Sequence, residues 1–135
     1  MSARRRTAFA FAALLLGGIL ALPGCAVSCP AIAYLNTVTL DSSAYADVDS
    51  VQFCIAAECT PAPGEPADDG SLLGVTPLDD GRWSLMLDMR SPKQIVVRLF
   101  DAEGALVHES EESISWTFTG GQCPGPATAE VVVLD

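Results

Sequence analysis

Hydrophobic and polar positions alternate with a period of two through most of the chain beyond residue 30. Between Val48 and Ala57, Val51, Phe53 and Ile55 alternate with Gln52 and Cys54. From Arg82 to Asp88, Trp83, Leu85 and Leu87 oppose Ser84, Met86 and Asp88. From Ser113 to Thr119, Ile114, Trp116 and Phe118 oppose Ser115, Thr117 and Thr119. This alternation predicts strands with one buried face. Further strands are predicted over Ile32–Leu40, Ser71–Leu78, Gln94–Asp101, Ala105–Glu109 and Ala129–Leu134; the valine run of the last predicts an interior strand or one buried on both sides. Asp41-Ser42-Ser43, Asp79-Asp80-Gly81 and Ser91-Pro92 interrupt the pattern, and Ala102-Glu103-Gly104 reads as a three-residue hairpin loop. The stretch Thr60–Gly70 is rich in proline and acid, and its prolines lack the N–H that an interior strand needs. No stretch after residue 25 carries a helical period with caps, so the chain reads as all-β, with seven or eight short strands in an antiparallel sandwich.

The first 24 residues follow another pattern. Arg4, Arg5 and Arg6 precede an uncharged apolar run from Ala8 to Leu22, shorter than the roughly 20 residues that span a bilayer. The run closes on Leu22-Pro23-Gly24-Cys25, which resembles the lipobox of bacterial lipoproteins. That resemblance implies a diacylated Cys25 thiol and cleavage of the peptide bond before it. The expected organisation is a cleaved signal peptide over 1–24, a lipidated N-terminus and tether over 25–30, and a domain over 31–135. Ordinary secretory cleavage near Ala31 or Ala33 and an uncleaved anchor are the alternatives. Twin-arginine export through Arg5-Arg6 is a further one, which Thr7-Ala8-Phe9 fits poorly.

Cysteine number points the same way. The chain has five cysteines (Cys25, Cys29, Cys54, Cys59 and Cys123), an odd count that leaves one thiol over in an exported protein. Lipidation of Cys25 leaves four, enough for two disulfides in an oxidising compartment. Charge changes at the same boundary. Removal of the three arginines leaves four basic residues against all 17 acidic ones, a net charge of −13 on 111 residues. Phosphate backbones and anionic lipid headgroups repel such a domain, so nucleic acid is not an expected partner and the charge reads as solubility and stand-off from the membrane surface. Its length suits one domain with one core.

The segments Trp83–Leu87 and Val96–Val107 resemble strand pairs of immunoglobulin-like bacterial domains, and Cys29-Pro30 just after the signal resembles small actinobacterial-type lipoproteins. These resemblances imply a single immunoglobulin-like antiparallel β-sandwich of seven to eight strands and a location on the outer face of the cell membrane, and carry over no activity. On that fold the first strand starts where the penultimate loop turns, which implies a Cys29–Cys123 disulfide. If Ser71–Leu78 crosses the sandwich as a full extra strand, that loop falls at the opposite end and the pairing fails; Cys29 linked to Cys54 or Cys59 would mean a different topology. A Cys54–Cys59 bridge follows from the residues themselves: with Ala56-Ala57 as a two-residue loop, Ile55 faces Glu58 and the cysteines form the next, non-hydrogen-bonded pair. Ala-Ala is poor chemistry for a tight primed turn. The C-x4-C spacing is neither the thioredoxin spacing nor a zinc knuckle.

The remaining candidates for chemistry have plain explanations. His108 is the sole histidine, set among Glu109, Glu111 and Glu112, and is expected to be solvated. Met86 and Met89 are read as core packing rather than copper ligands. Asp68-Asp69 and Asp79-Asp80 offer oxygen ligands for calcium, but turn formation explains both. No Gly-x-Ser-x-Gly elbow or phosphate loop is present. The expectation is a non-enzymatic exported lipoprotein without catalytic, metal or cofactor residues. It would be held to the membrane through lipid on Cys25 and contact an envelope protein, a wall polymer or a small ligand. The alternative is a lipoprotein that binds metal or a small ligand through its acidic loops.

Overall fold

The computed structural model describes residues 28–29, 32–123 and 125–135, and every regular element among them is a strand. The strands are β1 (Thr37–Asp41), β2 (Ser50–Ile55), β3 (Glu58–Cys59), β4 (Leu73–Pro77), β5 (Arg82–Leu87), β6 (Gln94–Phe100), β7 (Leu106–Ser113), β8 (Trp116–Phe118), β9 (Ala127–Ala129) and β10 (Val132–Val133). They build one four-stranded sheet in the order β10-β1-β5-β4, a second in the order β3-β2-β6-β7, and a β8–β9 hairpin.

The alternation read from the sequence decides which residues meet between the sheets. Val38 and Leu40 of β1, Trp83, Leu85 and Leu87 of β5, Val51 and Phe53 of β2, and Ile95, Val97 and Leu99 of β6 are all buried in one core. Opposed pairs such as Val38–Leu85 and Phe53–Val97 set the register. A slip by one residue would turn each of these apolar sets to solvent. Complete burial of a leucine such as Leu85 contributes about 1.5–3 kcal/mol.

Strand β2 is buried on both faces rather than one, with Gln52 and Cys54 covered as well as Val51 and Phe53. A band of polar contacts across the outer side of its sheet supplies the cover. Gln52 Nε2 donates to the Thr60 carbonyl at 2.7 Å, Arg98 Nη1 donates to Gln52 Oε1 at 3.1 Å, and Arg98 Nε pairs with Glu109. The Cys54–Cys59 bridge lies in the same band.

Several boundaries differ from the sequence expectation. The first strand begins at Thr37 and not Ile32, because Asn36 marks the edge of the sheet: its amide donates to the Asp88 carbonyl at 2.7 Å and its carbonyl accepts from Leu87 at 2.9 Å. The strand predicted to stop at Glu109 continues to Ser113, carried by ladder pairing to β6 although its last residues are polar. The strand predicted over Ser113–Thr119 is divided: Ile114 enters the core, then β8 leaves the sheet to pair with β9. The terminal valine run is not interior. Here β10 is an edge strand with Val132 and Leu134 buried while Val131 and Val133 are exposed. It also runs parallel to β1, which makes this sheet mixed.

These changes account for strand parity. Ser71–Leu78 does cross as a strand, β4. Strands β1, β4 and β6 run one way and β2, β5 and β7 the other, so β7 ends where β1 begins. Because β8 is the first arm of a local hairpin rather than another crossing, the loop after it stays at that end of the molecule, hereafter the bridge end.

Candidate functional site

Two disulfides are present, Cys29–Cys123 with Cα atoms 5.3 Å apart and Cys54–Cys59 with Cα atoms 4.0 Å apart. Ile55 faces Glu58 across the Ala56-Ala57 turn, and Cys54 faces Cys59 as the next pair. Ala56 adopts φ 54°, the left-handed conformation such a turn requires of a residue without glycine's freedom. Thr60 then extends the pairing for one step, its amide donating to the Phe53 carbonyl at 2.9 Å while its Oγ1 accepts from the Phe53 amide at 3.0 Å. Pro61 has no N–H to continue it. Disulfides in a domain of this size belong to proteins held outside the cytoplasm. The Leu22–Cys25 stretch that resembles a lipobox, and with it the lipidation expected at Cys25, lies outside the described residues.

The bridge end is organised by Asn36, which is buried. Its side-chain amide donates to the Arg90 carbonyl at 3.0 Å, and its Oδ1 accepts from the Ala127 amide at 3.0 Å. With the two backbone bonds to Leu87 and Asp88, this one residue ties together the approach to β1, the β5–β6 turn and the start of β9. Close by, Arg90 makes a two-point contact with Glu58, at 2.7 and 3.2 Å, and Ser71 Oγ donates to the same carboxylate at 3.1 Å. These donors, Arg90 first, hold the Glu58 carboxyl below the usual glutamate range. Trp116 Nε1 donates to the Pro92 carbonyl at 2.7 Å and anchors the base of the β8–β9 hairpin. The tip of that hairpin carries Cys123.

Large apolar side chains stand open to solvent around this node: Ile32 is 68% exposed, Leu35 56%, Met89 50% and Phe118 65%. Met89 therefore does not pack in the core as its sequence position suggested. Strand β5 ends at Leu87, and Asp88, at φ 60°, turns the chain before Met89. Met86 is half-buried on the outer side of its sheet, opposite Gly74.

The opposite end of the sandwich is acidic. Asp41, Asp47 and Asp49 lie in or beside the β1–β2 connection, Asp79 and Asp80 in the β4–β5 turn, and Asp101 and Glu103 in the β6–β7 loop, with Asp135 beside them and Arg82 the cation among them. Asp47, Asp49, Asp101 and Glu103 border one shallow depression. The sequence did not single out this grouping, because its two halves are about fifty residues apart and meet only through the β2–β6 pairing. The bridge end has Arg90 and Lys93 beside Glu58, Asp88, Glu112 and Glu130, with Asp68 and Asp69 in the loop returning to it.

The aspartate pairs singled out by sequence serve as turn formers. Asp68 Oδ1 accepts from the Gly70 amide at 3.0 Å. Asp80 and Gly81 both take positive φ, and a Cβ on Gly81 would stand 3.1 Å from the Ser43 Cα. Ser42, buried beneath that turn, donates from Oγ to the Gly81 carbonyl at 2.9 Å and accepts from Trp83 Nε1 at 3.0 Å. Among the described residues no three His, Cys, Asp or Glu side chains are grouped as metal ligands.

His108 is not simply solvated. It lies opposite buried Leu99, its ring centroid 4.5 Å from that of Tyr45, with Nε2 3.3 Å from Tyr45 Oη. Tyr45 Oη also donates to the Asp135 carbonyl at 2.8 Å, so the aromatic pair closes the open edge between β7 and the end of β10.

No family model, curated protein or solved structure matches this chain. What the molecule can do must therefore be argued from its own residues.

Proposed function

We propose that the protein is an exported lipoprotein: a β-sandwich domain without catalytic machinery, tethered to the outer face of the cell membrane by lipid on Cys25. It would present a binding or structural surface in the envelope. The observation that carries this reading is the use of cysteine. The two disulfides take up Cys29, Cys54, Cys59 and Cys123, so of five cysteines only the one in the lipobox sequence remains. Acylation gives that thiol a role that fits an oxidising compartment.

The strand order supports an immunoglobulin-like version of the sandwich. Numbered along the chain, β1 to β7 fall into the sets β1-β5-β4 and β3-β2-β6-β7, matching the B-E-D and C′-C-F-G sets of that fold. Strand β10 lies at the free edge of β1, where a first strand would otherwise sit. Such domains display surfaces for recognition, and in this one the end away from the Cys29–Cys123 bridge carries the larger excess of carboxylates.

Metabolic labelling with a palmitate analogue tests the proposal. The wild-type protein should carry the label and partition with membranes, and Cys25→Ala should do neither. Equal labelling of the two would refute lipidation at Cys25.

A further inference from the structure

We propose that the bridge end of the sandwich is a membrane-contact surface, laid against the lipid headgroups with Phe118, Leu35 and Ile32 toward the bilayer and the acidic loops pointing away. The inference rests on the lipoprotein reading above. It goes further by assigning the domain one orientation and naming the residues that touch lipid.

Tether length supplies the first argument. Cys25 and Cys29 are four residues apart, so their Cα atoms are separated by about 14 Å at most, even fully extended. The headgroup layer on one side of a bilayer is about 5–7 Å thick. Cys29 is bonded to Cys123, which fixes the tether to the tip of the β8–β9 hairpin. A lipid on Cys25 therefore keeps the bridge end within reach of the headgroups. Without the Cys29–Cys123 bond, the tether could lengthen by peeling the segment before β1 away from the domain.

Surface character gives the second argument, independent of the first. The apolar side chains that this end exposes are grouped around Asn36: Leu35 precedes it, Met89 follows the Asp88 whose carbonyl takes its amide proton, and Phe118 faces the Ala127 whose amide it binds. Removal of such surface from water favours a bilayer interface. The far end also exposes Leu78, Leu106 and Val107, but among eight carboxylates and a single arginine.

The difference in charge between the two ends favours the same orientation. The seven residues of β6 carry the chain about 20 Å from one end to the other. The Debye length at physiological ionic strength is about 8 Å. With the bridge end down, the eight carboxylates of the far end stand more than two Debye lengths from anionic headgroups and are screened from them, and the lipid meets the less acidic end, where Arg90 and Lys93 stand among six carboxylates. With the molecule inverted, those eight would be pressed onto like charge.

Photocrosslinking of the full chain in a bacterial host that processes lipoproteins tests the orientation. The photoreactive residue p-benzoylphenylalanine is placed at position 118 in one variant and at position 103 in another, and each is irradiated in cells also fed the palmitate analogue. Expected are palmitate label in both, a mass shift for a phospholipid adduct at 118, and its loss at 103. Label without lipid adduct at 118, or with equal adduct at both positions, overturns the orientation and leaves lipidation standing. Absence of label overturns the lipoprotein reading, and the orientation with it.

Discussion

Replacement of Asn36 by alanine should destabilise the whole domain, although the side chain is polar and sits at the end of the sheet. Its carboxamide accepts from the Ala127 amide in a buried bond and donates to the partly buried Arg90 carbonyl, both at 3.0 Å. Alanine removes both partners and leaves little room for water, because Asn36 is itself buried. A buried donor left unsatisfied costs about 1–3 kcal/mol, and loss of a typical hydrogen bond to the carbonyl adds about 0.5–1.5 kcal/mol. The sum, about 2–4 kcal/mol, is a large share of the roughly 5–15 kcal/mol that holds a domain folded. At about 5 °C per kcal/mol for a domain of this size, Tm should fall by about 10–20 °C. Urea unfolding of the oxidised mature protein provides the measurement: the midpoint should drop while the m-value, which follows the surface exposed, stays constant. A loss under about 1 kcal/mol at constant m would mean that the three chain segments are held by something other than this carboxamide.

The two disulfides should differ in worth. Replacing Cys29 and Cys123 by serine opens a loop with a sequence separation of 94 and should cost about 4–5 kcal/mol, against about 2 kcal/mol for Cys54 and Cys59 with a separation of 5; thermal unfolding of the two double variants compares them. Leu85→Ala in the fully buried centre should lose about 2–5 kcal/mol in the same urea assay. Gly81→Ala should lower Tm, because φ is +72° there and the new Cβ would meet Ser43 backbone, whereas Gly64→Ala, with open space around it, should pay only for its positive φ. The Glu58 carboxyl is held low in the folded state by Arg90 and then Ser71, so its stabilisation is complete above the unfolded glutamate value of about 4.3 and is lost as pH falls through the lower folded value. A stability profile against pH should therefore show a smaller acid-side decline for Glu58→Gln than for the wild type.

Where apolar residues alternate cleanly, the sequence read correctly as strand. Trp83, Leu85 and Leu87 face the core as their spacing requires, and so do Ile95, Val97 and Leu99. The reading went astray where pairing, not pattern, holds the backbone. Residues 110–112 look like a polar connection, yet they belong to β7 because β6 offers them a full row of hydrogen-bonding groups. Ile114, Trp116 and Phe118 have a strand's alternation, but the chain turns out of the sheet after Ile114, and Phe118 ends exposed on a two-stranded hairpin. The valines near the end mislead for a related reason: a run of β-branched residues states a preference for extended backbone, while burial depends on neighbours, and β10 has one on only one side.

The candidate site was legible only in its covalent part. Five cysteines are countable in one dimension, and a C-x4-C hairpin can be built on paper from the pairing rule. The separation of charge between the two ends is not a property of any segment. Asp47 and Asp101 are unremarkable turn residues until β2 and β6 are laid antiparallel, which brings the turns before β2 and after β6 to one end. Asn36 likewise looks like a stray polar residue within an apolar run, and only the return of the chain at Ala127 shows that its carboxamide joins three segments. The net charge of −13 on residues 25–135, taken as a total, reads as stand-off from a membrane surface. The fold distributes it unevenly, with eight carboxylates and Arg82 at the end away from the Cys29–Cys123 bridge and six carboxylates with Arg90 and Lys93 at the bridge end. On the membrane-contact proposal, that distribution and not the total charge decides which end can approach a bilayer, because a screened field reaches about 8 Å.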